Sequence, residues 1–337
     1  MTYNLSIVGN KLTIKKFEER LKDYKETEFY LRKLNNYNCL NSVNINNNGD
    51  YEYELENGSL ILKNRIGSKS KYGIIYLTLN KFNKTTFATK LMRMDEDNYR
   101  EIKIAKKLSK ITIRNLSPHF LLVYKYFYCM EKNNKLPSLI KNENYYISVN
   151  ELVNGNLKQY FDLNLNYSYI INALQQILIA ILSFHYFTNG VYHHDCHYKN
   201  FLFIKIKAGG YFHYNIFNKN YYVKNMGYLW LIWDFGLAQD DPYYKNQRIK
   251  DYFRIVNFFD LTSRILSSNN SLNKILDITE NILAYQNNFQ NIFGSSDKKF
   301  FEDVFINQLN LFQTRSDIPK SFKKINKNKY YLFLRLF

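Results

Sequence analysis

The sequence predicts an α+β protein in two lobes, and three observations carry that prediction. Strand-like alternation dominates residues 51–150, a long apolar helical stretch opens the region beyond Gly155, and no repeat of fixed period runs through the 337 residues. A strand-rich half followed by a helix-rich half predicts two packed lobes facing a cleft. The chain divides accordingly into an N-terminal helical extension at 1–50, a strand-rich lobe with one helix at 51–150, and a helical lobe at 151–337.

Residues 13–35 are charged and helix-forming, with Phe17, Leu21, Tyr24 and Phe29 at roughly helical spacing. The run NSVNINNNGD at 41–50 is polar and reads as a loop. From Tyr51 to Leu91, β-branched and aromatic residues alternate with turn residues, which predicts successive strands. Residues 97–110 read as a helix, and FLLVYKYFYC and YYISVNELV as two more strands. Further on, Ile170, Leu174, Ile177, Leu178, Ile181 and Phe184 share one face of a helix over 167–187. Asn172, Gln175, Gln176 and His185 interrupt that stretch, so it reads as a buried helix and not a membrane span. Two short apolar strands flank a long segment within 201–233, and helical patterns fill most of 248–290 and 297–313.

Composition narrows the class. Hydrophobic residues make up 46% and charged residues 23%, which excludes a disordered chain. The net charge of +18 favours acidic partners: nucleic acid, acidic proteins or anionic membranes. The basic residues are spread along the chain, and abundant Asn, Lys, Tyr and Phe fit A/T-rich coding. The charge therefore reads as a bulk property ahead of a dedicated nucleic-acid site. Cys39, Cys129 and Cys196 form no CxxC pair and no Cys/His metal spacing, so free thiols in a reducing compartment are expected. The opening MTYNLSIVGNKLTIKKFEER lacks the apolar core of a secretion signal, and the expected location is intracellular.

The chemistry concentrates in two segments, GVYHHDCHYKNFLFI from Gly190 and LWLIWDFGLAQ from Leu229. Phosphoryl transfer requires a bound polyanion, a divalent cation to neutralise it, and an acceptor for the proton of the nucleophile. Magnesium takes oxygen ligands, usually one or two carboxylates completed by phosphates. Asp234 ends an apolar strand, Asn200 offers an amide oxygen, and Asp195 lies in a loop five positions earlier.

Here the chain resembles the protein-kinase superfamily. The run His193-His194-Asp195-Cys196-His197-Tyr198-Lys199-Asn200 is similar to the catalytic loop H-R-D-x-x-x-x-N, and Asp234-Phe235-Gly236 is an intact D-F-G. The resemblance implies a two-lobed protein-kinase-like fold, with ATP and Mg2+ (or Mn2+) as cofactors. By the same resemblance Asp195 is the catalytic base, Asn200 and Asp234 the metal ligands, and His193 a support of the loop. Phe87-Ala88-Thr89-Lys90 resembles V-A-I-K, which implies that Lys90 bonds the α- and β-phosphates. Glu101 lies on the helix with Ile104, Ala105 and Leu108 at offsets of three, four and seven and is the implied partner of Lys90, with Glu96 a weaker competitor. The stretch from Arg65 to Tyr76 resembles a glycine-rich phosphate loop in part. Ile66, Gly67, Ser68, Lys69, Ser70, Gly73 and Ile75 are its candidate nucleotide contacts, and a plain hairpin turn is the alternative. Asn150 to Leu157 resembles the family's hinge, implying adenine contacts from the Glu151 carbonyl and the Val153 amide, with an ordinary interdomain loop as the alternative.

Four departures qualify the likeness. His194 replaces the arginine of H-R-D, which argues against control by loop phosphorylation. His197 replaces the usual lysine, as in haspin-like and poxvirus-type kinases and in aminoglycoside and choline kinases. It is placed either to contact a phosphate or to hold Asp195. Asn200 and Asp234 are 34 positions apart, with an inserted hairpin expected at about 205–228, as large-DNA-virus kinases have. No A-P-E follows; instead Asp251 is expected to start the next core helix and to bond the catalytic-loop backbone. The expected function is a serine/threonine protein kinase, with acidic proteins as substrates and a viral host cytoplasm or virion as setting. The alternatives are a small-molecule kinase and a non-catalytic scaffold or nucleic-acid binder.

Overall fold

The computed structural model describes residues 17–45, 51–67, 73–81, 84–131, 133, 135–163, 166–240, 248–265, 272–289, 297–318 and 335–336. The fold is α+β, and its contacts separate two compact units, 1–106 with 121–153, and 107–120 with 154–337.

The first unit is built on an antiparallel sheet of seven strands: β1 (Asn41–Ile45), β2 (Tyr51–Leu55), β3 (Leu60–Ile66), β4 (Ile74–Asn80), β5 (Thr86–Arg93), β6 (Val123–Cys129) and β7 (Tyr145–Glu151). Their order is β1-β2-β3-β4-β5-β7-β6. Alternation sends Phe87 and Leu91 of β5 to one face, where they join Leu31, Leu62, Phe127 and Ile147 in the unit's core. Lys90 therefore faces the other side. Helix α1 (Phe17–Leu31) belongs to the core face: Leu31 is in the cluster, and Tyr24 stacks on Tyr124, which packs against Phe87. Helix α2 (Glu96–Ile113) follows β5 and supplies Glu101 to the Lys90 face; the division between units falls within α2, after Lys106.

Two expectations are corrected here. Residues 41–45, read as polar loop, form β1, because a polar strand at a sheet edge is held by the backbone bonds its neighbour β2 offers. Helix α1 and strand β1 fall within the first of the two units. Cys39 and Cys129 are not free thiols but a disulfide, with Cα atoms 4.8 Å apart. Backbone bonds from Asn38 N–H to the Tyr128 carbonyl and from Tyr128 N–H to the Asn36 carbonyl carry Cys39 to the end of β6. Cys196 is the free, buried cysteine.

The second unit is organised around helix α4 (Tyr167–Phe187), preceded by β8 (Gly155–Asn156) and the short α3 (Leu157–Leu163). Asn166 caps α4 by accepting a hydrogen bond from the Ser168 N–H, and Gly190 closes it at φ +88° by donating its N–H to the His185 carbonyl. A side chain at Gly190 would also collide with the Arg248 guanidinium. By length and composition α4 could cross a membrane, but 78% of its most apolar window is buried inside the protein. A three-stranded sheet in the order β12-β9-β8 packs on it, with β9 (Phe201–Lys205) and β12 (Tyr228–Ile232) antiparallel. Between these strands, β10 (Tyr211–Ile216) and β11 (Lys219–Lys224) form a hairpin, joined by the short β13 (Arg335–Leu336). Helices α5 (Ile249–Ile265) and α6 (Asn273–Phe289) pack on one another and on α4. The four-residue α7 (Asp297–Phe300) runs into a π-helical turn at Phe301–Gln308, whose aromatic rings close around Tyr252.

Candidate active site

The loop between α4 and β9 holds a connected network of polar contacts. Its anchor is Asp251, buried in the first turn of α5. One carboxylate oxygen accepts from the His193 N–H at 2.9 Å and from His185 Nε2 at 2.8 Å, the other from the His194 N–H at 3.2 Å. The bonds from the His193 and His194 amides are charge-assisted and serve main-chain donors outside any helix or strand, and they hold 193–194 in one conformation. His194 takes φ +65°, a left-handed conformation that the two amide bonds to Asp251 support. The expected bond from Asp251 to the loop backbone is thus present.

His193 is buried beneath the loop. Its Nε2 lies 3.1 Å from the Trp233 carbonyl and its Nδ1 accepts from the Asp195 N–H at 3.3 Å, so Nε2 is the protonated nitrogen. Burial pushes the His193 pKa below the usual imidazole range, and neighbouring carboxylates and the Trp233 carbonyl only partly offset it. The ring also sits edge-on to Phe184 and Phe235, and Phe184 and Phe235 stack at 5.3 Å. Phe235 of the D-F-G run is therefore a packing residue in the core of this unit.

Asp195 and Asn200 form one assembly. Both amide hydrogens of Asn200 go to Asp195, at 2.9 Å to its carbonyl and 3.1 Å to its carboxylate, which turns the Asn200 side-chain oxygen away from Asp195. His197 Nε2 stands 3.4 Å from the same carboxylate oxygen, while its Nδ1 accepts from the Lys199 N–H and caps the short turn Tyr198–Asn200. Arg254 of α5 approaches the other oxygen at 3.4 Å and donates to the His194 carbonyl at 2.5 Å. Burial raises the Asp195 pKa, but hydrogen bonding and charge from His197, with Arg254 and His193, outweigh it and hold the carboxyl below the usual range. Cys196 is buried, and burial together with the Asp251 carboxylate pushes its thiol pKa far up, which removes it as a nucleophile.

Strand pairing brings Asp234 to this end of the unit. Ile232 of β12 is opposite Phe201 of β9, and the Trp233 N–H donates to the Asn200 carbonyl at 3.0 Å. Asp234 follows at φ +66°, which Asp tolerates better than most residues. No group of three or more His, Cys, Asp or Glu in metal-holding geometry exists among the described residues. The donor set, an amide oxygen and a carboxylate oxygen, fits a hard cation that completes its shell with phosphate oxygens and water.

The first unit places Lys90 and Glu101 together. Lys90 Nζ lies 2.6 and 2.8 Å from the two carboxylate oxygens of Glu101, and the residues are 5% and 2% exposed. Glu96, the alternative, is exposed at the start of α2. Gly73 stands against the Lys90 stem: a Cβ there would lie 2.7 Å from Lys90 Cε. Ile75 is opposite Lys90 and Ile66 is opposite Ile75, with Gly67 ending β3 at φ +77°. Ser68, Lys69 and Ser70 lie outside the described residues.

Glu151 ends β7 and Val153 lies just beyond it, half-buried. The Glu151 side chain is committed elsewhere: Arg20 of α1 grips it with two bonds of 2.8 Å, and it accepts from the Leu122 N–H at 3.2 Å. Sequence reading missed Arg20 and Arg254. Nothing local marks either residue, since each meets its carboxylate across a long span of chain. Compared with protein-family models and with curated proteins, the chain matches none.

Proposed function

We propose that this protein is an ATP-dependent phosphotransferase with a protein-kinase-like fold that phosphorylates protein serine or threonine hydroxyls. The observation that carries the reading is the Asp195–Asn200 assembly: an ionised carboxylate fixed by an amide whose oxygen faces away, at the strand end that also delivers Asp234. Within the first unit, the buried Lys90–Glu101 pair keeps an ammonium ion in one orientation on a strand. The hinge reading of Glu151 and Val153 and the nucleotide reading of Ile66, Gly67, Gly73 and Ile75 belong to the same proposal.

In this reading Asp195 orients the acceptor hydroxyl and takes its proton as the hydroxyl oxygen bonds to the γ-phosphorus and the bond to the departing ADP oxygen breaks. Its lowered pKa keeps it ionised at neutral pH and ready to accept a hydrogen bond. Asn200 and Asp234 would hold the magnesium ion, which supplies charge neutralisation of the phosphates. Lys90 supports the α- and β-phosphates. Asp251 and His193 touch no reacting atom; they position the loop, while Arg254 stands against the Asp195 carboxylate itself.

The test is transfer of labelled γ-phosphate from ATP to acidic proteins, to the chain itself, and to amino sugars or choline. Asp195→Asn is expected to lower turnover by about 10²-fold or more while ATP still binds. Asp234→Ala is expected to weaken Mg·ATP binding as well. Full activity in Asp195→Asn refutes the assignment of the base. Transfer only to amino sugars or choline replaces the protein acceptor with a small molecule, a reading the His197–Asp195 contact also suits.

A further inference from the structure

We propose that the outer surface of the first unit, where α2 meets β6 and β7, binds single-stranded nucleic acid. The inference is independent of phosphotransfer and rests on a run of tyrosine rings interleaved with lysines. Tyr37 and Tyr99 are 72% and 50% exposed, a large investment of apolar ring in solvent. Tyr37 lies 6.0 Å from Tyr128, and Tyr128 meets Tyr146 edge-on at 5.6 Å. Tyr146 in turn feels Tyr128 and Tyr99, which raise its pKa after the larger effect of burial. Lys103 stands 5.4 Å from the Tyr99 ring, and Lys106 stands 5.9 Å from the Tyr128 ring with its Nζ 3.4 Å from the hydroxyl.

Both lysines are exposed, and no ion pair engages them among the described residues. At the start of α2, Asp95 caps the helix through Asn98, and Asp97 pairs with Arg100. The patch thus combines flat π faces with unpaired cations, on a chain of net charge +18. An acidic peptide would use the cations and leave the rings idle. A single strand uses both, because each base has a face to stack while its phosphate meets a lysine. A duplex hides its base faces, so the rings select against it.

Fluorescence anisotropy of a labelled oligothymidylate of about 15 nucleotides, titrated with the full chain, tests the proposal. Tyr99→Ala and Tyr128→Ala are each expected to weaken binding by about 5- to 100-fold. The double variant Lys103→Gln/Lys106→Gln is expected to reduce the slope of log K against log salt by roughly 1.4. Tyr99 and both lysines are exposed, so those variants keep the fold, which far-UV circular dichroism checks. Duplex DNA binding as tightly as the single strand overturns the proposal, as does wild-type affinity in the tyrosine variants. Displacement by polyglutamate that depends on the lysines but not the tyrosines overturns it in favour of an acidic polypeptide.

Discussion

Asp251→Asn is a decisive perturbation because the substitution is nearly isosteric and its effect is set by hydrogen-bond polarity alone. The two carboxylate oxygens of Asp251 accept three bonds: one oxygen serves His193 N–H and His185 Nε2, the other serves His194 N–H. An amide keeps one acceptor. Its best orientation leaves the carbonyl toward His193 and His185 and turns an NH2 toward the His194 N–H, donor against donor. The two surviving bonds lose charge assistance, about 1 kcal/mol each, and the orphaned amide costs about 1–3 kcal/mol. Relief from burying a carboxylate returns part of this, so the net loss is about 2–4 kcal/mol. Trp230 and Trp233 are the only two tryptophans and both belong to the second unit, so their fluorescence in a urea titration reports the unit that contains Asp251. A loss below about 0.5 kcal/mol, the range of an ordinary surface change, would falsify the claim that Asp251 holds the loop.

Three further outcomes follow from the same geometry. Removing one partner of the buried Lys90–Glu101 pair, as in Glu101→Ala, is expected to destabilise the first unit by about 3–5 kcal/mol, whereas Lys90→Met with Glu101→Leu recovers most of it, read by circular dichroism in urea. His193 has a folded pKa below its unfolded value near 6.5, so its contribution is complete above that pH and is lost as pH falls toward the folded pKa, with a slope of at most about 1.4 kcal/mol per pH unit. The difference between wild type and His193→Gln, measured from about pH 7 to 5, isolates that slope; no pH dependence in the difference contradicts it. Alkylation under denaturing, non-reducing conditions is expected to label Cys196 alone, and all three cysteines after reduction. Because Cys39 and Cys129 are 90 positions apart, reduction is expected to destabilise the first unit by about 4–5 kcal/mol.

Periodicity and local chemistry made much of this architecture legible. Helix α4 could be read from its apolar face and β9 and β12 from short apolar runs, and the hairpin between them was expected from the long separation of Asn200 and Asp234. Glu101 was readable as the residue for Lys90 because helix spacing puts it on the apolar face with Ala105 and Leu108, whereas Glu96 sits a turn too early. Asp195 and Asn200 were readable as parts of one loop, but with four residues between them their direct hydrogen bonds were not predicted.

What only the tertiary structure decided are contacts whose partners lie far apart in the chain. Arg20 and Glu151 are 131 positions apart, and Arg254 meets Asp195 across 59. Strand β1 is polar and its stability comes from the backbone of β2, so no side-chain pattern announces it. The Cys39–Cys129 bond depends on where two strands end, which spacing alone does not encode. Local propensity is a property of neighbouring residues. An ion pair, an edge strand or a disulfide is a property of which surfaces the completed fold brings together, and that is settled only when the core packs.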